Sequence, residues 1–386
     1  MLLGGEIMVV EQFAFYTLDE IQNINTLAKL KNSNLVLMFG AKEFICNKDV
    51  FCNIRDTYSR ANILGGTTAG EIFNDQVNDN ILTVTAIYFE NTKTNFFFSE
   101  IIEFNKCYEK GVEIAKLIPI ENLSHVFVIG EGLNINGSKL VEGFVNVLPE
   151  HVKITGGLAG DYEGYKETFV IANDYGKKNL IGAVAFYGDK IKIGYGSAGG
   201  FDTFGIERTV TKSKENILYE LDGKPVLDLY KEYLGEYSSK LPVSGLLFPL
   251  SIRASDNNYS YVRTVSGVDE ENKALKFAGE IPQGYYAKLM RANYNNLING
   301  SMIAAENCID SVNCKNPNLA ILVSCRGRRV VLNQMIDEEL EVVRSILGDN
   351  VIFTGFYSNG EIAPTNKKSM TEFHNQTMTI TLIGEE

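Results

Sequence analysis

The sequence predicts an α/β fold with mixed parallel and antiparallel sheets, covering helices and two closely packed halves that carry internal β-helix-β repeats. Three observations lead there. A Gly-x-x-x-x-Gly-Glu-Ile pattern occurs twice, at Gly65–Ile72 and Gly355–Ile362, with a shorter relative at Gly156–Asp161. Each copy follows a short β-type run. Each is preceded by an apolar strand and an amphipathic helix at similar spacing: 30 residues from Leu35 to Gly65, 30 from Val126 to Gly156, and 36 from Leu319 to Gly355. Near-continuous apolar strands at β-helix-β spacing imply parallel pairs covered on both faces.

The first unit starts with the strand at 35–39 (LVLMF). Val50, Phe51, Ile54 and Tyr58 then share one helical face, because residues three and four apart lie on the same side. A short strand at 63–64 leads into the first glycine loop. Alternating residues at 81–90 and 93–102 flank Asn91-Thr92 and predict an antiparallel hairpin. The second unit repeats the scheme: strand 126–129, a helix marked by Leu140, Val141, Phe144, Val145 and Leu148, and strand 152–155. A second hairpin is expected from 180–187 and 190–197 around Gly188-Asp189.

Antiparallel patterns dominate after residue 200. Residues 205–212 and 216–221 form a pair closed by Asp222-Gly223. Pro225 opens a helix through Leu234, at a position where its missing N–H costs nothing. Strands follow at 245–252, 259–268 and 273–278, then a long helix over about 293–311. The third unit has strand 319–323, a helix marked by Ile336, Leu340, Val343, Ile346 and Leu347 with Gly348 as its C-terminal stop, and strand 351–354. No low-complexity linker appears, so the halves at residues 1–200 and 201–386 are expected to pack closely.

Composition narrows the function. The chain has 386 residues, 45% of them apolar, and a net charge of -12. An acidic chain without a Lys/Arg-rich run lacks the basic face that nucleic acid or an anionic membrane requires. No apolar stretch reaches the ~20 residues that span a bilayer. Met1 to Val10 is apolar but has no basic lead, so it does not read as a secretory signal, and Met8 is an equally good start. The six cysteines form no Cys-x-x-Cys and have no zinc spacing, which suits reduced thiols in the cytoplasm.

The glycine loops could be mistaken for phosphate loops. A phosphate loop needs Lys and then Ser or Thr after its last glycine. Here that position is Glu71 or Glu361, and a carboxylate repels phosphate oxygens. Gly-x-Gly-x-x-Gly is also absent, so no dinucleotide fingerprint exists. Two readings stand for Glu71 and Glu361. They hold a ligand ammonium while loop N–H groups, at Gly66, Thr67 and Thr68, hold its carboxylate. Or they accept hydrogen bonds from their own backbone. The loop around Glu361 adds Tyr357, Ser358 and Asn359 as side-chain contacts, which favours Glu361 for the ligand. Asp161 sits in a shorter loop and reads as structural. Arg326, Arg328 and Arg329 follow the strand at 319–323, where open α/β sheets place ligands, and Arg326 is nearest the strand end.

Catalysis lacks a set of groups: no nucleophile elbow and no His-Glu-x-x-His are present. A Cys325 thiolate activated by Arg326 competes with a buried inert thiol. His125 and His151 stand just before parallel-type strands, opposite the glycine loops, and His374 lies in the last strand.

The segments GGTTAGEI (65–72), GGLAGD (156–161), ELDGKP (220–225), SCRGRR (324–329) and GFYSNGEIAP (355–364) together resemble the FIST family. The resemblance spans about residues 30–365. It implies a cytoplasmic, prokaryotic sensory protein with tandem domains, binding a small ligand for which amino acids are proposed. It also implies signalling partners such as histidine kinases or cyclic-dinucleotide enzymes. Since the sequence contains no output module, signalling would pass to a separate partner. The ligand-binding residues expected are Gly66, Thr67, Thr68, Glu71, Arg326, Tyr357, Ser358 and Glu361, with no cofactor. A haem-based nitric oxide sensor, with one histidine as ligand, and an enzyme using the paired carboxylates as acid and base are the alternatives.

Overall fold

The structure is a computed structural model and describes residues 8–101, 103–162, 166–255 and 260–386. Residues 1–7 of the amino-terminal stretch lie outside the described residues. The three β-helix-β repeats are present, and each is the centre of a unit built to one plan.

Unit one contains β1 (Met8–Phe15), α1 (Ile24–Leu27), β2 (Leu35–Gly40), α2 (Lys42–Ile45), α3 (Lys48–Thr57), β3 (Asn62–Thr67), β4 (Glu71–Phe73), β5 (Gln76–Asn78) and β6 (Leu82–Phe89). Unit two contains β7 (Lys93–Glu100), α4 (Cys107–Leu117), β8 (Leu123–Gly130), α5 (Gly137–Val145), β9 (Lys153–Leu158), β10 (Val170–Ala172) and β11 (Leu180–Tyr187). Unit three begins with β12 (Ile191–Ala198) and is then interrupted by an inserted domain. That domain holds β13 (Phe201–Thr203), β14 (Arg208–Lys214), β15 (Ile217–Leu221), β16 (Lys224–Pro225), α6 (Val226–Leu234), β17 (Leu250–Arg253), β18 (Ser260–Arg263), β19 (Val265–Asp269), β20 (Ala274–Phe277) and β21 (Tyr286–Ala292). Unit three resumes with α7 (Tyr294–Ser311), β22 (Leu319–Cys325), α8 (Arg326–Leu332), α9 (Glu338–Leu347), β23 (Ile352–Ser358), β24 (Gly360–Pro364), β25 (Thr371–His374) and β26 (Met378–Glu385).

The parallel pairs are β2 with β3, β8 with β9, and β22 with β23. In every unit the last strand lies antiparallel beside the first member of the pair, and the unit's opening strand lies outside it. The short strand after each pair leaves its unit. β4 pairs with β23, β10 with β3, and β24 with β9. Unit one therefore extends the sheet of unit three, unit three that of unit two, and unit two that of unit one.

Both predicted hairpins are corrected by this plan. β6 pairs with β1 and β2, and β7 with β11, so Asn91-Thr92 joins two sheets. β12 likewise pairs with β26 and not with β11. Alternation announces a half-buried strand without naming its partner. At the first junction the partner is the Glu385 carboxylate, which accepts hydrogen bonds from the Glu90, Asn91 and Thr92 N–H groups at 2.8, 2.9 and 2.6 Å. The pair predicted at 205–212 and 216–221 is observed as β14 and β15. The long helix is α7.

Parity decides the core. Leu35, Leu37 and Phe39 of β2, Phe127 and Ile129 of β8, and Leu319, Ile321 and Val323 of β22 all face a central core shared by the three units. Val36 and Met38, Val126 and Val128, and Ala320 and Leu322 face outward. There α3, α4 with α5, and α7 with α9 cover them. The Phe39 and Phe356 rings meet across the centre at 4.6 Å. The inserted domain has its own core beneath α6. It is held to the units by Arg263, which donates to Phe373 O at 3.3 Å and Ser138 Oγ at 3.2 Å, and by Gln376 Nε2, 3.1 Å from Leu246 O.

Gly65, Gly156 and Gly355 occupy one position in the three units. A Cβ there would lie 1.8, 1.8 and 1.9 Å from the carbonyl oxygens of Met38, Val128 and Leu322 on the partner strand. We expect Gly355→Ala to lower unfolding free energy by about 3 kcal/mol, since the backbone on both sides must move. Gly267→Ala, which meets only an ordinary contact at 3.5 Å from Lys276 Cβ, should change it by less than about 1 kcal/mol. Urea midpoints measure both.

Candidate functional site

The parallel strands end near the shared centre, and three tight loops interlock there. Gly160 N donates to Thr67 O, Ala69 N to Tyr357 O, and Tyr357 N to Gly70 O, each at 2.8 Å. The sequence suggested open glycine loops with free N–H groups. Instead Gly65 and Gly66 lie inside β3, and the turn proper is Thr68-Ala69-Gly70. Ala69 N serves unit three, whereas Gly70 N stays within the turn, on Thr68 Oγ1 at 3.3 Å. Gly70 adopts φ +138°, and a Cβ there would strike the Arg329 guanidinium.

Glu71 and Glu361 are each the carboxylate after the turn, and both side chains are buried. Thr68 Oγ1 donates to Glu71, and Ile81 N donates to its other oxygen at 3.3 Å. Ser358 Oγ donates to Glu361 Oε1 at 2.6 Å. Thr377 donates to Oε2 from its N at 3.2 Å and its Oγ1 at 2.9 Å. The two sites are copies: a hydroxyl three residues upstream, and an N–H just ahead of the unit's last strand. Burial pushes both carboxyls up to about 7, against the bonds that these donors supply.

Tyr357 is also buried and donates through its hydroxyl to Glu339. Glu339 forms a buried ion pair with Arg328 at 2.9 Å. Burial, then Glu361, pushes the Cys325 thiol up, so an activated thiolate does not arise there. His125 Nε2 bonds Thr155 Oγ1 and His374 Nε2 bonds Ala363 O, both at 2.8 Å. Neither of these two buried histidines offers a free Nε2 to a haem iron. Among the described residues, no group of three His, Cys, Asp or Glu is placed to hold a metal ion.

A cavity of about 710 Å³ opens at the ends of β2 and β3. Of the residues expected from sequence, Thr67 and Thr68 line it. Arg326 reaches its wall through Asp161, 3.4 Å away. Gly66 lies in β3 against Phe169, Ala159 and Ile129, and Glu71 contacts the lining through Thr68. Tyr357 and Ser358 end β23 and Glu361 lies in β24, and none of them is among the lining residues. Much of the lining was not anticipated: Lys42, Glu43, Asn47, Asn80, Lys166 and Glu167. Glu167 pairs with both Lys42 and Lys178. Asp161, read from sequence as structural, also lines the cavity, and its Oδ2 accepts from Lys166 N at 2.7 Å. A signal for Lys42 did exist. It stands two residues past Gly40, as Arg326 stands two past Ser324, and Gly40 and Ser324 are paired with Thr67 and Tyr357 at the same register.

Two profiles match the chain in tandem, the FIST N domain at residues 34–224 and the FIST C domain at residues 227–364. The chain belongs to the FIST family. FIST domains are sensory domains tied to signalling and small-ligand binding. An uncharacterised protein of Methanocaldococcus jannaschii is 28% identical over 256 residues, covering 58% of this chain and 47% of the relative. The chain thus spans about half the length of the curated relative it matches. Two cyanuric acid hydrolase structures, one from A. caulinodans, align at 8% identity with TM-scores of 0.36 and 0.35. Those alignments cover 98% and 99% of this FIST chain, and 99% and 100% of the hydrolases. No helix among the described residues of the FIST chain is long and apolar enough to cross a membrane.

The raised carboxyls have a pH signature. Their folded pKa of about 7 exceeds the ordinary 4.5. Their stabilisation is therefore full below pH 4.5, falls as pH rises through 7, and is level above it. The decline amounts to about 3 kcal/mol for each group. Glu361→Gln should remove one such decline between pH 5 and pH 8, measured by urea unfolding. An unchanged slope would show that Glu361 is ionised in the folded state.

Proposed function

We propose that this FIST protein is a non-catalytic sensor that takes up a small zwitterion of the amino acid class in the cavity at the ends of β2 and β3, and that a separate signalling protein reads the result. The observation carrying this reading is the lining itself. Lys42 and Lys166 bring ammonium groups, Glu43, Asp161 and Glu167 bring carboxylates, and Thr67, Thr68, Asn47 and Asn80 bring neutral polar groups. An α-carboxylate suits the first set and an α-ammonium the second. The volume of about 710 Å³ lies within the usual range for small-molecule sites.

Location supports the same choice. Ligands of open α/β sheets gather outside the carboxyl ends of the strands. The corresponding ends in units two and three are covered by the inserted domain, through Asn216 and Lys276–Gly279 in one case and Leu246 in the other. Unit one keeps its end open. Glu71 works on the site through Thr68, because it takes the hydroxyl proton and leaves Thr68 Oγ1 as an acceptor for a guest. A histidine kinase or a cyclic-dinucleotide enzyme is the kind of partner that suits a sensor of this family.

A thermal-shift panel of amino acids on protein stripped of bound material tests the proposal. A ligand at a hundredfold excess over Kd should stabilise the fold by about 2.7 kcal/mol. The N-acetyl and carboxamide derivatives of the same amino acid should lose most of that shift. Lys42→Gln, an exposed change, should weaken binding about tenfold by removing a charge-assisted bond. No shift from any amino acid at millimolar concentration, or equal shifts from the blocked derivatives, would overturn it.

A further inference from the structure

Unit two and the inserted domain face each other across a groove of about 300 Å³. Both walls are acidic. Unit two supplies Glu109 from α4 and Glu142 from α5. The inserted domain supplies Glu215 from the turn between β14 and β15, and Glu280 from the segment between β20 and β21. Like charges facing each other across a gap repel unless a cation lies between them. The chain provides one such cation. Lys139 Nζ lies 2.9 Å from Glu142 Oε2 and 3.2 Å from Glu280 Oε2. A single ammonium thus ties a carboxylate of one wall to a carboxylate of the other. Glu109 and Glu215 are the matching pair, again one from each wall, and neither has a cation within ion-pair distance among the described residues.

A second, independent group says what else the groove receives. Asn136 lines it and is only 5% exposed. Its Oδ1 caps α5 by accepting from Lys139 N at 3.2 Å, which fixes the orientation of the amide. Nδ2 is then left without an acceptor among the described residues. That nitrogen is not one of the unpaired atoms sealed away from the surface, so it keeps a face open to the groove. A nearly buried donor, held in place by a helix cap, asks for an acceptor. The Phe104 and Tyr108 rings complete the lining. Aromatic faces accommodate the stems and cationic heads of lysine and arginine.

We infer that this groove is a docking site for a basic peptide segment of a partner protein. A lysine or arginine side chain enters between Glu109 and Glu215 and does there what Lys139 does between Glu142 and Glu280. A backbone carbonyl of the same segment accepts from Asn136 Nδ2. The four carboxylates repel a nucleic acid or an anionic surface. A free polyamine brings the charge but no carbonyl, and leaves Asn136 unpaired. Because both walls contribute, the bound segment joins the inserted domain to unit two. The assignment does not depend on what fills the first cavity.

The probe is a dye-labelled, end-blocked Gly-Lys-Gly-Lys-Gly peptide, titrated with the full chain and read by fluorescence anisotropy. It should bind, and bind more weakly in high salt, since exposed charges are screened. Glu109→Gln and Glu215→Gln, both at exposed positions, should each weaken it about threefold. Glu306→Gln, an exposed acid of α7 outside the groove, should leave it unchanged. Asn136→Asp keeps the cap on α5 and turns the free donor into an acceptor, so it should weaken the peptide although it adds negative charge. Tighter binding by Asn136→Asp would show that charge alone holds the peptide, and would overturn the assignment. So would a lack of binding at ~1 mM peptide, or parent-like binding by both Glu109→Gln and Glu215→Gln. Spermidine that competes as well as the unlabelled peptide would make the groove a polyamine site and refute the docking role.

Discussion

The strand that follows each parallel pair leaves its own unit to pair with a neighbour, and the rest of the molecule depends on that exchange. An open sheet edge exposes unpaired N–H and C=O groups and invites wrong partners. Here the cycle of exchange covers one edge of each parallel pair: β4 on β23, β24 on β9, β10 on β3. For the exchange to work, three turns must cross within a few ångströms of one another. That is why Gly160 is wedged where a Cβ would lie 2.5 Å from Tyr357 O and 2.7 Å from Ala69 N. The central core is then built by three sheets at once, and none of its faces is complete without the other two.

The buried acids follow from the same constraint. Glu71 lies at the start of β4, and Glu361 one residue into β24. Each strand has left home, yet each carboxyl bonds the N–H that precedes the last strand of its own unit, at Ile81 and Thr377. The acid thus ties the departing strand to the unit it came from. Burying an acid raises its pKa and sacrifices stability at neutral pH, while its three-residue neighbour, Thr68 or Ser358, supplies the compensating donor. Unit two departs from the plan. Its chain makes a longer excursion before β10, and the acid of that loop, Asp161, turns to the cavity and to Arg326. The irregular unit is the one that furnishes a charged wall.

Much of this architecture was legible in the sequence, and the limits have physical causes. The parallel pairs could be read because strands buried on both faces are continuous apolar runs, as in LVLMF at 35–39. The helices were legible from their stripes, and α7 closely matched the span expected from its pattern. Strand partners were not legible. Residues 81–90 and 93–102 alternate well, but alternation records one buried face and does not say whose sheet lies beneath it. Thr67 and Thr68 fell on the cavity because they sit at a strand end, which topology marks. Lys42, Asn47 and Glu167 went unseen because isolated polar residues in amphipathic stretches look like any solvated face. Only alignment of the three units gives Lys42 a counterpart in Arg326. The same alignment separates Glu71 and Glu361, which repeat each other, from Asp161, which does not.

The inserted domain interrupts unit three between β12 and α7, and this has a consequence for how the chain finds its fold. β12 must await β26, with Ile191 opposite Glu385 at the far end of the chain. Such distant pairings slow folding, because the intervening chain must be closed before any contact rewards it. The insertion shortens that search. Its first and last strands, β13 and β21, lie antiparallel with Phe201 opposite Ala292, so once it has folded around its own core its entry and exit are adjacent. To the polymer still searching, some ninety residues then count as a short bridge, and β12 is delivered beside α7 as though the two had been neighbours in sequence all along.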